Sequence, residues 1–173
     1  MSQAAKYSAV EILRNGRRLT IRALRPDDRA DFLAAVERAS AQSLYRRFFG
    51  AKRGFTEQEE NFFLDIDFVN HVALVAVVEE AGRPAIIAGG RYIVIEPGKG
   101  EVAFIVIDQY QGQGIGAALL RHLAAIASGH GINELVAEVL AENRSMLKVF
   151  EKSGFAMVTK RDGQVVHVTL GVS

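Results

Sequence analysis

The stretch VAFIVIDQYQGQGIGAALLRHL, residues 102–123, decides the reading of this chain. An apolar run, residues 102–107, leads into a turn holding Gly112, Gly114 and Gly116. Apolar residues at helical spacing follow: Ile115, Leu119, Leu123, Ile126 and Ala127. The order is strand, glycine loop, helix. Such a loop leaves backbone N–H groups unpartnered, and the helix start adds its own free donors and the positive end of its dipole. An anion fits there, so a phosphorylated cofactor is the expected ligand.

Downstream, the Gly129 to Gly131 segment ends the helix and residues 133–140 predict a strand. Strand, helix and strand in succession imply a right-handed crossover, so residues 101–107 and 135–140 are expected to lie parallel. Residues 143–152 predict another helix, stopped at Ser153-Gly154. Residues 155–160 and 165–170, joined by Arg161-Asp162-Gly163-Gln164, predict a closing hairpin.

Upstream, HVALVAVVEE, residues 71–80, is rich in β-branched side chains and ends at the turn Gly82-Arg83-Pro84. With residues 85–95 and 101–107 it predicts an antiparallel meander. The apolar run through Ile86 to Ile95, broken by Gly89-Gly90, implies a strand buried on both faces, with a bulge or close approach at the glycines. Residues 1–18 predict a loose lead-in with at most one short strand, ending at the turn signal Asn15-Gly16. Residues 19–24 alternate as a half-buried strand does, and Pro26-Asp27-Asp28 opens a helix to about Ala39. Ser40 can cap a short second helix, and Thr56 with Glu59 has the spacing of a capping box that opens a third.

The chain has 173 residues, 49% of them hydrophobic, which suits a single domain over residues 1–173. Its formal net charge is +1, so no global field draws it to nucleic acid or to an anionic membrane. Cysteine is absent, which excludes disulfides and thiol chemistry, and no apolar run is long enough for a signal peptide or a membrane span. A cytoplasmic protein is expected. The four histidines, His71, His122, His130 and His167, have no ligand partners in sequence, so no metal is expected.

Gly112-x-Gly114-x-x-Ala117 also satisfies the looser dinucleotide-binding fingerprint. Topology argues against that fold, because the strands before the loop are antiparallel and a hairpin, not further strand–helix units, closes the chain.

Gln111-Gly112-Gln113-Gly114-Ile115-Gly116 resembles the pyrophosphate-binding motif of the GNAT superfamily of acyl-CoA N-acetyltransferases. NRSMLKVFEKSGF, residues 143–155, is similar to that family's later block, in which an Asn opens a helix ending at Gly-Phe. The element order agrees from about Leu19 to Leu170. The resemblance implies an α/β (α+β) fold with a mixed, mainly antiparallel sheet of six to seven strands, flanking helices and one splayed parallel pair. It implies acetyl-CoA as co-substrate, its pyrophosphate on residues 111–117, Ala117 included. The pantetheine would lie against the backbone of Ile105, Val106 and Ile107, near Asn143 and Phe150.

By the same resemblance Glu101 stands where many members carry a catalytic glutamate, in a similar Glu-Val-x-Phe context. A lysine-like ammonium near pKa 10.4 must lose a proton before it attacks, so a base is required, and apolar Val102, Phe104 and Ile93 nearby would favour one. Phe150 departs from the pattern, since many members have at that place a tyrosine that protonates the leaving thiolate. Tyr45, Tyr92, Tyr110 or water must serve instead.

SLYRRFF, residues 43–49, is similar to a stretch of bacterial protein lysine acetyltransferases that regulate acyl-CoA synthetases. It places Tyr45, Arg46 and Phe49 at the acceptor entrance, although an amphipathic helix with core aromatics explains the same residues. A protein lysine, for instance on an acyl-CoA synthetase, is the leading expected acceptor. A small amine (polyamine, amino acid or aminoglycoside) is the alternative, and a non-catalytic acyl-CoA sensor is a third reading.

Overall fold

The computed structural model describes residues 3–39 and 56–173. The short helix expected from Ser40, with Tyr45, Arg46 and Phe49, lies outside them.

Among the described residues eight strands form one sheet: β1 (Ser8–Ile12), β2 (Arg18–Ala23), β3 (His71–Glu80), β4 (Arg83–Glu96), β5 (Lys99–Val106), β6 (Glu134–Leu140), β7 (Ala156–Asp162) and β8 (Val165–Gly171). Their order is β1-β2-β3-β4-β5-β6-β8-β7, antiparallel throughout except for β5 and β6. The described helices are α1 (Arg29–Arg38), α2 (Glu57–Leu64), α3 (Ile115–Gly129) and α4 (Arg144–Glu151).

One strand exceeds the expected number. β1 lies in the lead-in and pairs along its whole length with β2, through a turn in which Gly16 takes φ +83°. Asn15-Gly16 closes a hairpin there instead of ending a loose segment. The lead-in is also tied to α3, where Tyr7 and His122 are hydrogen-bonded and His122 Nε2 lies 2.8 Å from Glu11 Oε1.

β3 is apolar along nearly its whole length because helices cover both faces of the sheet. Ala73 and Val75 pack with Leu24 and Ile86 towards Phe32 and Ala35 of α1 and Leu64 of α2. Val72, Leu74 and Ala76 belong to the larger core, with Leu119, Leu120 and Leu123 of α3. Thr56 caps α2, accepting from Glu59 N–H at 3.2 Å while Glu59 Oε1 accepts from Thr56 N–H at 3.1 Å.

The bulge expected at Gly89-Gly90 sits instead at Ile87, which is skipped between the pairs Ala76–Ala88 and Val77–Ile86. The glycines serve the other expected purpose, close approach. A Cβ on Gly90 would lie 2.6 Å from Phe104 Cδ1 and 3.1 Å from Leu123 Cδ1. Phe104 can therefore lie flat across β4 and meet the Phe150 ring, centroids 6.1 Å apart.

Candidate active site

β5 and β6 are in register at three pairs only, Lys99–Glu134, Gly100–Leu135 and Glu101–Val136. Beyond Glu101 the two strands part. Val102 to Val106 keep β4 on one side, but on the other side their ladder is open.

The alternation of an antiparallel ladder shows which backbone groups face the opening. Ile107 N–H donates to Ile87 O at 3.0 Å, so the N–H and C=O of Ile105 and Ala103 also point to β4, while those of Phe104 and Val106 point into the gap. This corrects the expectation for two residues. Ile107 has both backbone groups engaged, its carbonyl accepting from Tyr110 N–H at 2.9 Å, and Ile105 is turned to β4. Phe104 takes their place beside Val106. The alternation was available in the sequence, but its phase was not, because it depends on register.

A cavity of about 430 Å³ fills the opening. Its walls are β5 from Glu101 to Val106, β6 at Ala137 to Val139, the glycine loop, and α4 with its cap. Phe150 forms part of its floor and is 1% exposed.

At the far end of the gap the chain makes a short turn, Asp108–Tyr110, and enters the glycine loop. Gly112 and Gly114 hold φ of +77° and +87°, a conformation that L side chains rarely take. Ala118 N–H makes the first helical bond, to Gly114 O at 3.1 Å, so the N–H groups of Ile115, Gly116 and Ala117 have no earlier helical carbonyl to meet. They open beside the cavity, which those three residues line. A pyrophosphate suits these donors.

The two loop glutamines behave differently from the expectation. Gln111 lines the cavity, but its Nε2 donates back to Val106 O at 2.9 Å, so its side chain ties the loop to the end of β5. Gln113 does not line the cavity, and its buried Oε1 has no hydrogen-bond partner among the described residues. Asn143 lines the cavity and caps α4, accepting from Met146 N–H at 3.3 Å.

Glu101 lies at the mouth of the gap, on the sheet face covered by α1 and α2, since it is opposite Ile93, which is opposite His71. Val102 and Phe104 point to the other face, and Glu101 is exposed. Of the apolar neighbours expected for its carboxylate, only Ile93, opposite it on β4, shares that face. A second carboxylate on the cavity wall, Glu138, escaped the sequence reading, and His167 Nδ1 lies 3.7 Å from its Oε1. Only the β6–β8 pairing brings His167 beside it.

Of the tyrosines considered for the leaving thiolate, Tyr92 is fully buried and outside the cavity, and burial pushes its hydroxyl up to about 12. Tyr110 lines the cavity, but its hydroxyl donates to Glu80 Oε2 at 2.5 Å. Tyr45 is outside the described residues. Among those residues no group of acidic, histidine or cysteine side chains is arranged to hold a metal ion, and no helix is long and apolar enough to cross a membrane.

Comparison with known proteins agrees with this architecture. Residues 33–155 match the acetyltransferase (GNAT) family model. An acetyltransferase of Pseudomonas aeruginosa is 34% identical over 163 residues, covering 91% of this chain and 87% of that protein. Acetyltransferase Pat of Mycolicibacterium smegmatis is 30% identical over 156 residues, covering 89% of this chain, and the chain spans 46% of that relative's length. The crystal structure of the GNAT domain of S. lividans PAT superposes with a TM-score of 0.86 at 34% identity, covering 95% of this chain and 96% of that one. With these matches, the chain is an acetyl-CoA-dependent N-acetyltransferase and belongs to the GNAT acetyltransferase family.

Proposed function

We propose that this enzyme moves the acetyl group of acetyl-CoA directly to the side-chain amine of a protein lysine, with Glu101 as the base. The observation that carries the cofactor half is the parting of β5 from β6 after Glu101, with free helix N–H groups at the other end of the same cavity. The acceptor half is supported by similarity to the GNAT domain of S. lividans PAT and to acetyltransferase Pat.

In this reading the loop N–H groups hold the pyrophosphate and stabilise its charge. The pantetheine amides pair with the backbone of Phe104 and Val106 as an added strand would. Val106 N–H faces the thioester carbonyl and stabilises the oxyanion as it develops. Glu101, directly or through water, takes the proton from the acceptor ammonium, and the free amine attacks the carbonyl carbon. A C–N bond forms and the C–S bond breaks; the nitrogen gives up its second proton, which passes through water to the leaving thiolate, while the proton taken by Glu101 goes to solvent. One proton is released per turnover. Phe150 packs beneath the pantetheine and contributes no acid.

A second reading, acetylation of a small amine such as a polyamine, amino acid or aminoglycoside, is favoured by Glu138, which puts a further carboxylate on the cavity wall. The test is incubation of the enzyme with acetyl-labelled acetyl-CoA and a cell lysate. Label in protein lysines supports the main reading. Label confined to small molecules contradicts it in favour of the second.

A further inference from the structure

The Gln111 side chain ties the glycine loop to β5, but the two left-handed glycines add no side-chain contact of their own. Gly112 and Gly114 are in the left-handed region, and a Cβ at either would meet no heavy atom within 4 Å. Glycine loses more freedom on ordering than any other residue, so a loop of this kind binds an anion well only if something outside it fixes its course.

That anchor is the residue just before it. Tyr110 is 4% exposed and immediately precedes Gln111. Its hydroxyl donates to Glu80 Oε2 at 2.5 Å, a charge-assisted bond. Glu80, at the end of β3, is in turn gripped on both oxygens by Arg38, the last residue of α1, with Nη1 to Oε1 at 2.8 Å and Nη2 to Oε2 at 2.9 Å. The Arg17 guanidinium lies over the Tyr110 ring, 5.2 Å from its centroid, and donates to Glu79 O at 2.7 Å. Tyr110 is thus held at its hydroxyl and on one ring face by three elements distant in sequence. Glu80 and Arg38 do not line the cavity.

We propose that Glu80 is the positioning residue for the cofactor loop: by holding the Tyr110 hydroxyl against Arg38 it pre-orders residues 111–117 for acetyl-CoA and couples that order to the end of α1. The inference rests on the reading of the loop as the pyrophosphate site. The Glu80–Tyr110 bond acts on acetyl-CoA affinity and on α1, while the acetyl transfer step itself proceeds at its usual rate once the cofactor is bound.

The test is a cycle of Glu80→Ala, Tyr110→Phe and the double variant, measured by calorimetric titration with acetyl-CoA well below each variant's melting temperature. Each single variant is expected to raise the dissociation constant about tenfold, with kcat at saturating acetyl-CoA within about twofold of the wild type. The double variant should be no worse than either single one, and Glu80→Gln, which keeps an oxygen for Tyr110, should recover part of the affinity. Acetyl-CoA should slow hydrogen exchange at the end of α1 in the wild type and not in Tyr110→Phe. Dissociation constants within twofold of the wild type, losses that simply add, or unchanged exchange protection in Tyr110→Phe would overturn the proposal while leaving the cofactor site intact. If the wild type itself binds no acetyl-CoA, the cofactor-site reading falls too.

Discussion

Glu101 and Val136 face each other at the last registered pair of the parallel ladder, and past them the strands part. The pair has two consequences for the site. It sets the mouth of the gap, and it fixes Glu101 on the α1 and α2 face while the backbone of Phe104 and Val106 lines the interior. In the proposed reaction, base and oxyanion donor therefore come from one strand, a few residues apart, and their spacing does not depend on a mobile loop.

Glycine is required in the loop at position 114 and not at 116. Gly114 holds φ +87°, so Gly114→Ala meets open space but forces a left-handed backbone, at about 1–2 kcal/mol. Gly116 is helical, and a Cβ there would make an ordinary 3.5 Å contact with Val149 Cγ2. Titration with acetyl-CoA should show a several-fold or greater loss of affinity for Gly114→Ala and a change within twofold for Gly116→Ala. Equal effects would contradict the role given to the turn.

Gly90→Ala should destabilise the protein by about 1–3 kcal/mol, because the new methyl would lie 2.6 Å from Phe104 Cδ1. The Phe104 ring also packs against Phe150, centroids 6.1 Å apart, so moving it disturbs a second contact. Gly89→Ala, whose Cβ would stand 3.6 Å from Leu74 O, should cost less. Urea denaturation of the two variants compares them, and a Gly90→Ala midpoint at or above that of Gly89→Ala would rule the packing argument out.

His71 makes stability depend on pH. Burial, and then the Arg91 guanidinium beside it, push its pKa down to about 4, and Arg91 Nη1 lies 3.0 Å from Nε2, so the neutral ring accepts that bond. The unfolded chain binds the proton near pH 6.5, the folded one near 4. The full contribution is therefore present above about pH 6.5 and is lost as pH falls towards 4, by at most about 3 kcal/mol. The carboxylates of Asp28, Asp67 and Glu80 are also held low, but their contributions disappear in a lower window, below about pH 5. Thermal melting of wild type and His71→Asn between pH 5 and 7 separates the two: the wild type should lose stability across that interval and the variant should stay level.

Much of this architecture is legible in the residues themselves. The β-branched run from His71, the capping pair Thr56 and Glu59, and the glycine loop before α3 each announce their element, because each depends on neighbours in sequence. What is not legible depends on register. The phase that turns Phe104 and Val106, and not Ile105 and Ile107, into the gap follows from the β4–β5 pairing. The bulge at Ile87 follows from how β3 and β4 are joined. Glu138 and Glu80 gain their meaning only from partners far along the chain, His167 on β8, and Tyr110 with Arg38. The lead-in strand is hidden for a related reason: β1 is an edge strand whose apolar Val10 and Ile12 face solvent while Glu11 is half-buried, so its sequence shows no buried apolar alternation.

The central claim is that β5 holds the cofactor through its backbone and supplies the base through Glu101, two roles that can be separated. Glu101→Gln keeps the size of the side chain and removes only its basicity. The measurement is the pH profile of kcat/KM for the acceptor amine, alongside the dissociation constant for acetyl-CoA. The account predicts an acetyl-CoA affinity within about twofold of the wild type, a fall in kcat/KM of about 10²-fold or more, and loss of the rise of rate with pH. Wild-type kinetics with an unchanged pH profile would contradict it.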